Sequence, residues 1–331
     1  MTEIAERPQP SRARQIGQRF LKHENAVLLS ILAVIIAALA VMTKGLLVSP
    51  ANVRNILFQI SSRGIASIGQ TLVLLTAGID LSIEGAASFT ICLGGLLMTG
   101  KWGFPHVALP IAILVMLLGG LGVGTINGSL VSRIGMPPLI VTLALWWIGR
   151  GIALAITHQG MPIGDLPTSM AILGRNIAGV PVALIVFIGA AAVMYFVLHH
   201  TTFGRSVYAV GGNEVSAWLS GINTKNIRLF AYVISGFLAA LAGLVIMGRS
   251  MSASSTTPGA LTLDTIAAVC VGGVSLFGGR GTIVGSIIGV LILGVLDNGM
   301  NLIGLHPAFK SVIKGVIIIV AVAVDVIRRR R

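Results

Sequence analysis

Charge is scarce in this chain: Asp, Glu, Lys and Arg together make up only 10% of its 331 residues. Soluble domains carry about 25% charged residues, so an aqueous globule is excluded. Acidic residues are scarcer still, 10 against 23 Lys and Arg, which gives a formal net charge of +13. Aromatic residues are few and never interleave with a basic stripe, so the positive charge does not mark a nucleic-acid surface. Only two cysteines occur, Cys92 and Cys270. Both fall in apolar runs, which excludes a disulfide framework and reads as buried packing thiols. The six histidines show no metal-ligand spacing, and no Gly-x-Ser-x-Gly elbow is present. Neither a metal centre, a cofactor site nor a catalytic constellation is legible.

What fills the chain is apolar sequence, 55% of all residues, together with 42 glycines. Apolar runs near 20 residues recur, each long enough to cross about 30 Å of hydrocarbon. The fold class expected is an all-α polytopic membrane protein. Spans are predicted near 26–43, 55–77, 82–100, 107–131, 138–157, 181–199, 229–248, 263–277, 283–303 and 309–327, about ten in all, with both termini cytoplasmic. The weakest are 55–77, which contains Arg63, and 263–277, which is short; either reads as a broken or re-entrant helix, allowed only where protein buries it. The N-terminal segment 1–25 is basic and polar, the transmembrane body is 26–327, and 328–331 is a basic tail. No small-residue cleavage site follows the first apolar run, so it reads as an uncleaved span. About 14 of the 23 Lys and Arg, including Arg7, Arg12, Arg133, Arg205, Lys225, Arg228, Arg280 and Arg328, fall on one side of this topology, the positive-inside bias.

The longest polar interruption, 201–228, sits between two halves. Within it Val215, Trp218, Leu219 and Ile222 recur at helical spacing, with Asn213 as N-cap and Gly221 as C′ residue. This predicts a short amphipathic helix at the membrane surface. It either covers a loop or docks a soluble partner. The loop 158–180 is expected outside, with a short surface helix near 168–173. The run Gly95-Leu-Leu-Met-Thr-Gly100-Lys101 begins like a phosphate-binding loop, but Trp102 stands where Ser or Thr must hold Mg²⁺; any ATP is hydrolysed by another chain.

Polar groups inside apolar spans each require a reason, because a charge at mid-bilayer costs roughly 2.5–3.5 kcal/mol on insertion scales. Asp80 and Asp264 open spans and read as helix N-caps, with a functional role left open. Glu84 follows Asp80 by four residues, the spacing of one helical face. Asp297, Asn298 and Asn301 form a polar patch late in an apolar span, suited either to hydroxyl-rich cargo or to bonding between helices. Arg63 and Arg150 either pair with these acids or reach for an interface. Segments 120–138 and 289–307 share an Asn-Gly pair, then Ile-Gly, then Pro. Asn127 and Asn298 thereby correspond, as do Asp80 and Asp264. An offset of five spans implies halves inverted in the membrane.

Two long stretches carry a family resemblance. YAVGGNEVSAWLSGINTKNIRLFAYVISGFLAALAGLV (208–245) and LDTIAAVCVGGVSLFGGRGTIVGSIIGVLILGVLDNGMNLIG (263–304) resemble the membrane permeases of ribose/xylose/arabinose-type ABC importers. ILFQISSRGIASIGQTLVLLTAGIDLS and INGSLVSRIGMPPLIVTLALWWIGRGIAL match the same family in the first half. The resemblance implies about ten helices per subunit, a homodimer, a separate ATPase subunit and a sugar-binding protein, in a bacterial inner membrane. It makes Gly212, Asn213, Glu214, Val215, Trp218, Leu219 and Gly221 the ATPase-coupling segment. The polar groups Asp80, Asn127, Asp297, Asn298 and Asn301 become the candidate substrate pathway. The resemblance implies a monosaccharide or related polyol as cargo; Glu84, Asp297, Leu139 and Ala144-Leu145 depart from the family's usual residues and leave the exact sugar open. A nucleoside or branched-chain amino acid permease is the alternative, and an ion-coupled carrier using the intramembrane acids a further one.

Overall fold

The computed structural model describes residues 24–256 and 258–330. The basic N-terminal residues Arg7 to Lys22 and the last residue, Arg331, lie outside them. Among the described residues there are twelve α-helices and one two-stranded hairpin of two residues each. We number the helices α1 (Glu24–Met42), α2 (Pro50–Leu75), α3 (Ile83–Thr99), α4 (Leu109–Ser129), α5 (Pro138–Ile156) and α6 (Val182–His200). They continue with α7 (Thr202–Gly212), α8 (Glu214–Leu219), α9 (Thr224–Ser250), α10 (Leu261–Val271), α11 (Ile283–Leu302) and α12 (Pro307–Arg330). The protein is all-α and polytopic. Each of the predicted spans falls on one of these helices, and six helices are long and apolar enough to cross a bilayer by length and composition.

α2 and α9 form the centre. α9 packs on α4, α2 and α3, while α11 packs on α1, α2 and α10. In a bilayer there is little hydrophobic gain from joining helices, so close backbone approach and dispersion hold them. Glycine makes that approach. A Cβ at Gly236 of α9 would strike the carbonyl of Gly120 on α4, and one at Gly289 of α11 would strike the carbonyl of Ala268 on α10. The outward faces of α5, α6 and α12 carry exposed apolar residues such as Trp147, Val193, Phe196 and Ile319. Three apolar clusters result, the largest around α2, α6 and α9.

Of the two spans expected to be broken or re-entrant, 55–77 is not broken: α2 is continuous from Pro50 to Leu75, and the interruption lies after it. α2 stops at Leu75, and residues 76–82 run non-helical within the protein before α3 begins. Their polar groups are answered internally: the Tyr232 hydroxyl donates to the Ile79 carbonyl at 3.2 Å, and Ser82 N–H donates to Asp80 at 2.9 Å. Such backbone is tolerated at membrane depth only when protein surrounds it. α10 is shorter than expected, ending at Val271 rather than 277. Four glycines with positive φ, Gly273, Gly278, Gly279 and Gly281, turn the chain beyond it, a backbone open to glycine without steric cost.

The loop between α5 and α6 contains the expected surface turn, a 3₁₀ helix at Thr168–Gly174. The phosphate-loop look-alike ends α3: Gly100 is its left-handed C-cap, with no strand nearby. Both cysteines are free and buried.

Candidate functional site

Three polar constructions stand out. The first is the surface segment 201–224. Asn213 caps α8, its Oδ1 accepting from Ser216 N–H at 2.9 Å. Gly221 ends it in the left-handed region at φ 82°, and Ile222 N–H bonds back to the Ala217 carbonyl at 3.1 Å. The helix is shorter than the expected 213–221, because capping at both ends leaves only Glu214–Leu219 with helical backbone. Ala217 faces the protein, whereas Val215, Trp218 and Leu219 are 66%, 65% and 72% exposed. Glu214 pairs with Arg228 at 2.9 Å. A concavity lined by Trp218, Gly221, Ile222, Thr224 and Lys225 lies beside it. α7, which precedes it, is tied inward: the Tyr208 hydroxyl donates to the Gly281 carbonyl at 2.9 Å. Gly279 N–H donates to the last residue of α2, Leu75, at 3.0 Å, and Gly211 packs against that same carbonyl. Burial raises the Tyr208 phenol above its ordinary value near 10.

The second construction surrounds Asp80, which is fully enclosed. Its carboxylate accepts from the Ser82 hydroxyl at 2.6 Å and from the Ser235 hydroxyl of α9 at 2.7 Å. Asn127 of α4 donates to Ser82 Oγ at 2.7 Å. Asp80 therefore caps the turn before α3 rather than the helix itself, whose N-cap is Ser82. The four-residue spacing to Glu84 makes no common helical face, because Asp80 is not helical.

The third construction is a four-membered ion network. Arg63 of α2 donates to Asp297 of α11 at 2.6 Å and pairs with Asp264 of α10 at 3.3 Å. Lys314 of α12 reaches Asp264 at 3.1 Å and Asp297 at 3.0 Å. Asp264 is thus not an N-cap: that position is Ala260, and the carboxylate in the first turn is held by two cations instead. The patch continues along α11. Asn298 accepts from Asn52 of α2 at 2.8 Å, and Asn301 accepts from Lys310 of α12. Across the molecule Arg150 of α5 faces Glu84 of α3 at 4.0 Å.

The expected pathway residues therefore fall into two groups. Asp80 and Asn127 share one enclosed cluster; Asp297, Asn298 and Asn301 share the other with cations. Sequence reasoning missed Lys310 and Lys314. Each was visible as a lone lysine in the opening turns of the last apolar span, where an unpaired charge is costly. Asn52, Ser82 and Ser235 carried no such signal.

A family model described as the branched-chain amino acid transport system / permease component matches residues 52–322. The chain belongs to this permease family. It is 39% identical over 280 residues to the ribose import permease protein of Bacillus subtilis, covering 83% of this chain and 85% of that one. With the fructose import permease protein of Rhizobium meliloti it shares 36% over 312 residues, 91% and 84% of the two chains. With a probable ABC transporter permease protein of Escherichia coli it shares 36% over 313 residues, 94% and 92%. No solved structure matches the chain. The protein is thus a multi-pass membrane permease component of an ABC system, and not an enzyme.

Proposed function

We propose that this permease carries a monosaccharide or related polyol inward across the bacterial inner membrane as one subunit of an ATP-driven importer. The observation that carries the reading is the exposed apolar face of α8, capped at both ends and anchored through α7 to the membrane helices. A carrier working alone has no use for such a face. Here Gly212, Asn213, Glu214, Val215, Trp218, Leu219 and Gly221 form the segment that docks on a separate ATPase subunit. A sugar-binding protein outside the cell delivers cargo, and two permease copies enclose the path within the lipid.

In this reading both termini are cytoplasmic, ten helices form the membrane body, and the halves are inverted repeats. The packing supports the repeat: α4 against α9 answers α11 against α2, and α3 against α5 answers α10 against α12. The names of the relatives favour sugar cargo. The family description favours a branched-chain amino acid, so leucine belongs in the substrate panel.

The test is Trp218→Asp. The variant is expected to accumulate in the membrane at wild-type level while losing co-purification with its ATPase and losing sugar-stimulated ATP turnover in lipid. If both survive, α8 does not dock the ATPase.

A further inference from the structure

The ion network and the Glu84–Arg150 pair are partly exposed in a place where exposure to lipid is expensive. Arg63 sits near the middle of α2, roughly 19 Å from either end. Its side chain is 27% exposed and that of Lys314 25%; that of Arg150 is 36% exposed. None of the network's cations snorkels outward, since each is held at 2.6–3.3 Å by carboxylates that are themselves nearly enclosed. An ionised group facing hydrocarbon at the depth of Arg63 is disfavoured, so the open side of the network must meet water.

In the structure Glu84, and not Asp80, is the counterpart of Asp264, and the two sets occupy corresponding places. Glu84 lies in the first turn of α3 and Asp264 in the first turn of α10. Their cationic partners lie on α5 and α12, the helices packed alongside. The network of the second half is extended by Asn298, Asn301 and Lys310 into a polar file along α11 and the start of α12.

We infer that the Arg63–Asp264–Asp297–Lys314 network, with Glu84–Arg150 as its counterpart, lines the water-filled cargo path and binds an uncharged, hydroxyl-rich solute. This rests on the permease reading above and assigns its cargo surface. The chemistry selects the solute class. Cations offer donors to sugar oxygens, and carboxylates accept from sugar hydroxyls. Yet the charges of the network and of its counterpart are already neutralised, two cations by two anions and one by one, so a charged cargo gains no net attraction from them. Asp80 and Asn127, enclosed and bonded to serines, stay behind the wall of the path.

The experiment uses the complete importer in proteoliposomes, with radiolabelled ribose and fructose as probes. Ser311→Cys lies one turn from Lys314 and leaves the network intact; Val316→Cys lies about 140° around α12 from Ser311 and about 160° from Lys314. Ser311→Cys should react with a water-soluble, membrane-impermeant thiosulfonate and be slowed by the transported sugar, and Val316→Cys should not react. Asp297→Asn should raise the apparent KM for uptake by about tenfold, the loss of one hydrogen bond to a charged group, with the binding protein's own affinity unchanged. An unreactive Ser311→Cys together with wild-type kinetics for Asp297→Asn overturns the inference while wild-type sugar uptake still upholds the permease reading. If the wild-type complex moves no sugar but moves leucine, the cargo class fails in both.

Discussion

At the scale of single residues, pairing decides where charge survives. Asp165, in the loop between α5 and α6, is fully exposed, and the Lys101 ammonium at 2.8 Å holds its carboxyl below the ordinary 3.8. A depressed folded-state value means that the pair contributes above the unfolded value and is lost as pH falls through the folded one. We predict a carboxyl ¹³C titration midpoint for Asp165 under 3.8, moving back up in Lys101→Met; an unmoved midpoint would break the assignment. The membrane acids follow a different rule. Asp264 was read as a cap because its position, early in a helix, is where a lone carboxylate is stabilised. Two cations from α2 and α12, distant in sequence, claim it instead. No local spacing reports such contacts, whereas Arg63 inside an apolar run announced by its cost alone that a partner must exist.

At the scale of elements, the helices were legible and their edges were not. Apolar runs near 20 residues located all six helices that are long and apolar enough to cross a bilayer, because the bilayer fixes their length. The end of α10 was misplaced by six residues, since Gly272 to Phe277 is nearly as apolar as the helix it follows, and only backbone conformation separates them. The α8 caps were legible residue by residue, because capping is local chemistry. Helix contact is carried by glycine. Gly236→Ala places a methyl group against the Gly120 carbonyl, and backbone cannot step aside. Overpacking of this kind costs about 1–3 kcal/mol, so thermal unfolding in detergent should shift down, while Gly122→Ala, with open space around it, should not. Equal behaviour of the two would show that α4 and α9 do not touch there.

At the scale of the whole molecule, the excess of basic residues reads as orientation. The loop at 158–180 should face outward and the segment 201–224 inward. With both native cysteines buried, Gln159→Cys should be labelled by an impermeant maleimide in intact cells, and Ser216→Cys only after permeabilisation. The reverse pattern would place α8 outside, away from any ATPase. Architecture and family were legible in the order of the motifs, whereas the division of polar residues between an enclosed cluster and an ion network was not, because it depends on which faces of α2, α9 and α11 meet.

α2 is one unbroken rod of 26 residues, about 39 Å long. Its Leu75 end is gripped by Gly279, in the turn between α10 and α11, and by Gly211, at the end of α7 where the chain runs on into α8, and its waist carries Arg63. On the proposed reading, with α8 docked on an ATPase at the inner face, a push on α8 is delivered to this lever. A tilt of roughly five degrees about its outer end, over half that length, displaces the guanidinium by about 1.7 Å, comparable to the margin between a bonded and a broken contact. The site of force and the charged girdle are thus geared together by a single piece of secondary structure, with no relay of side chains between them.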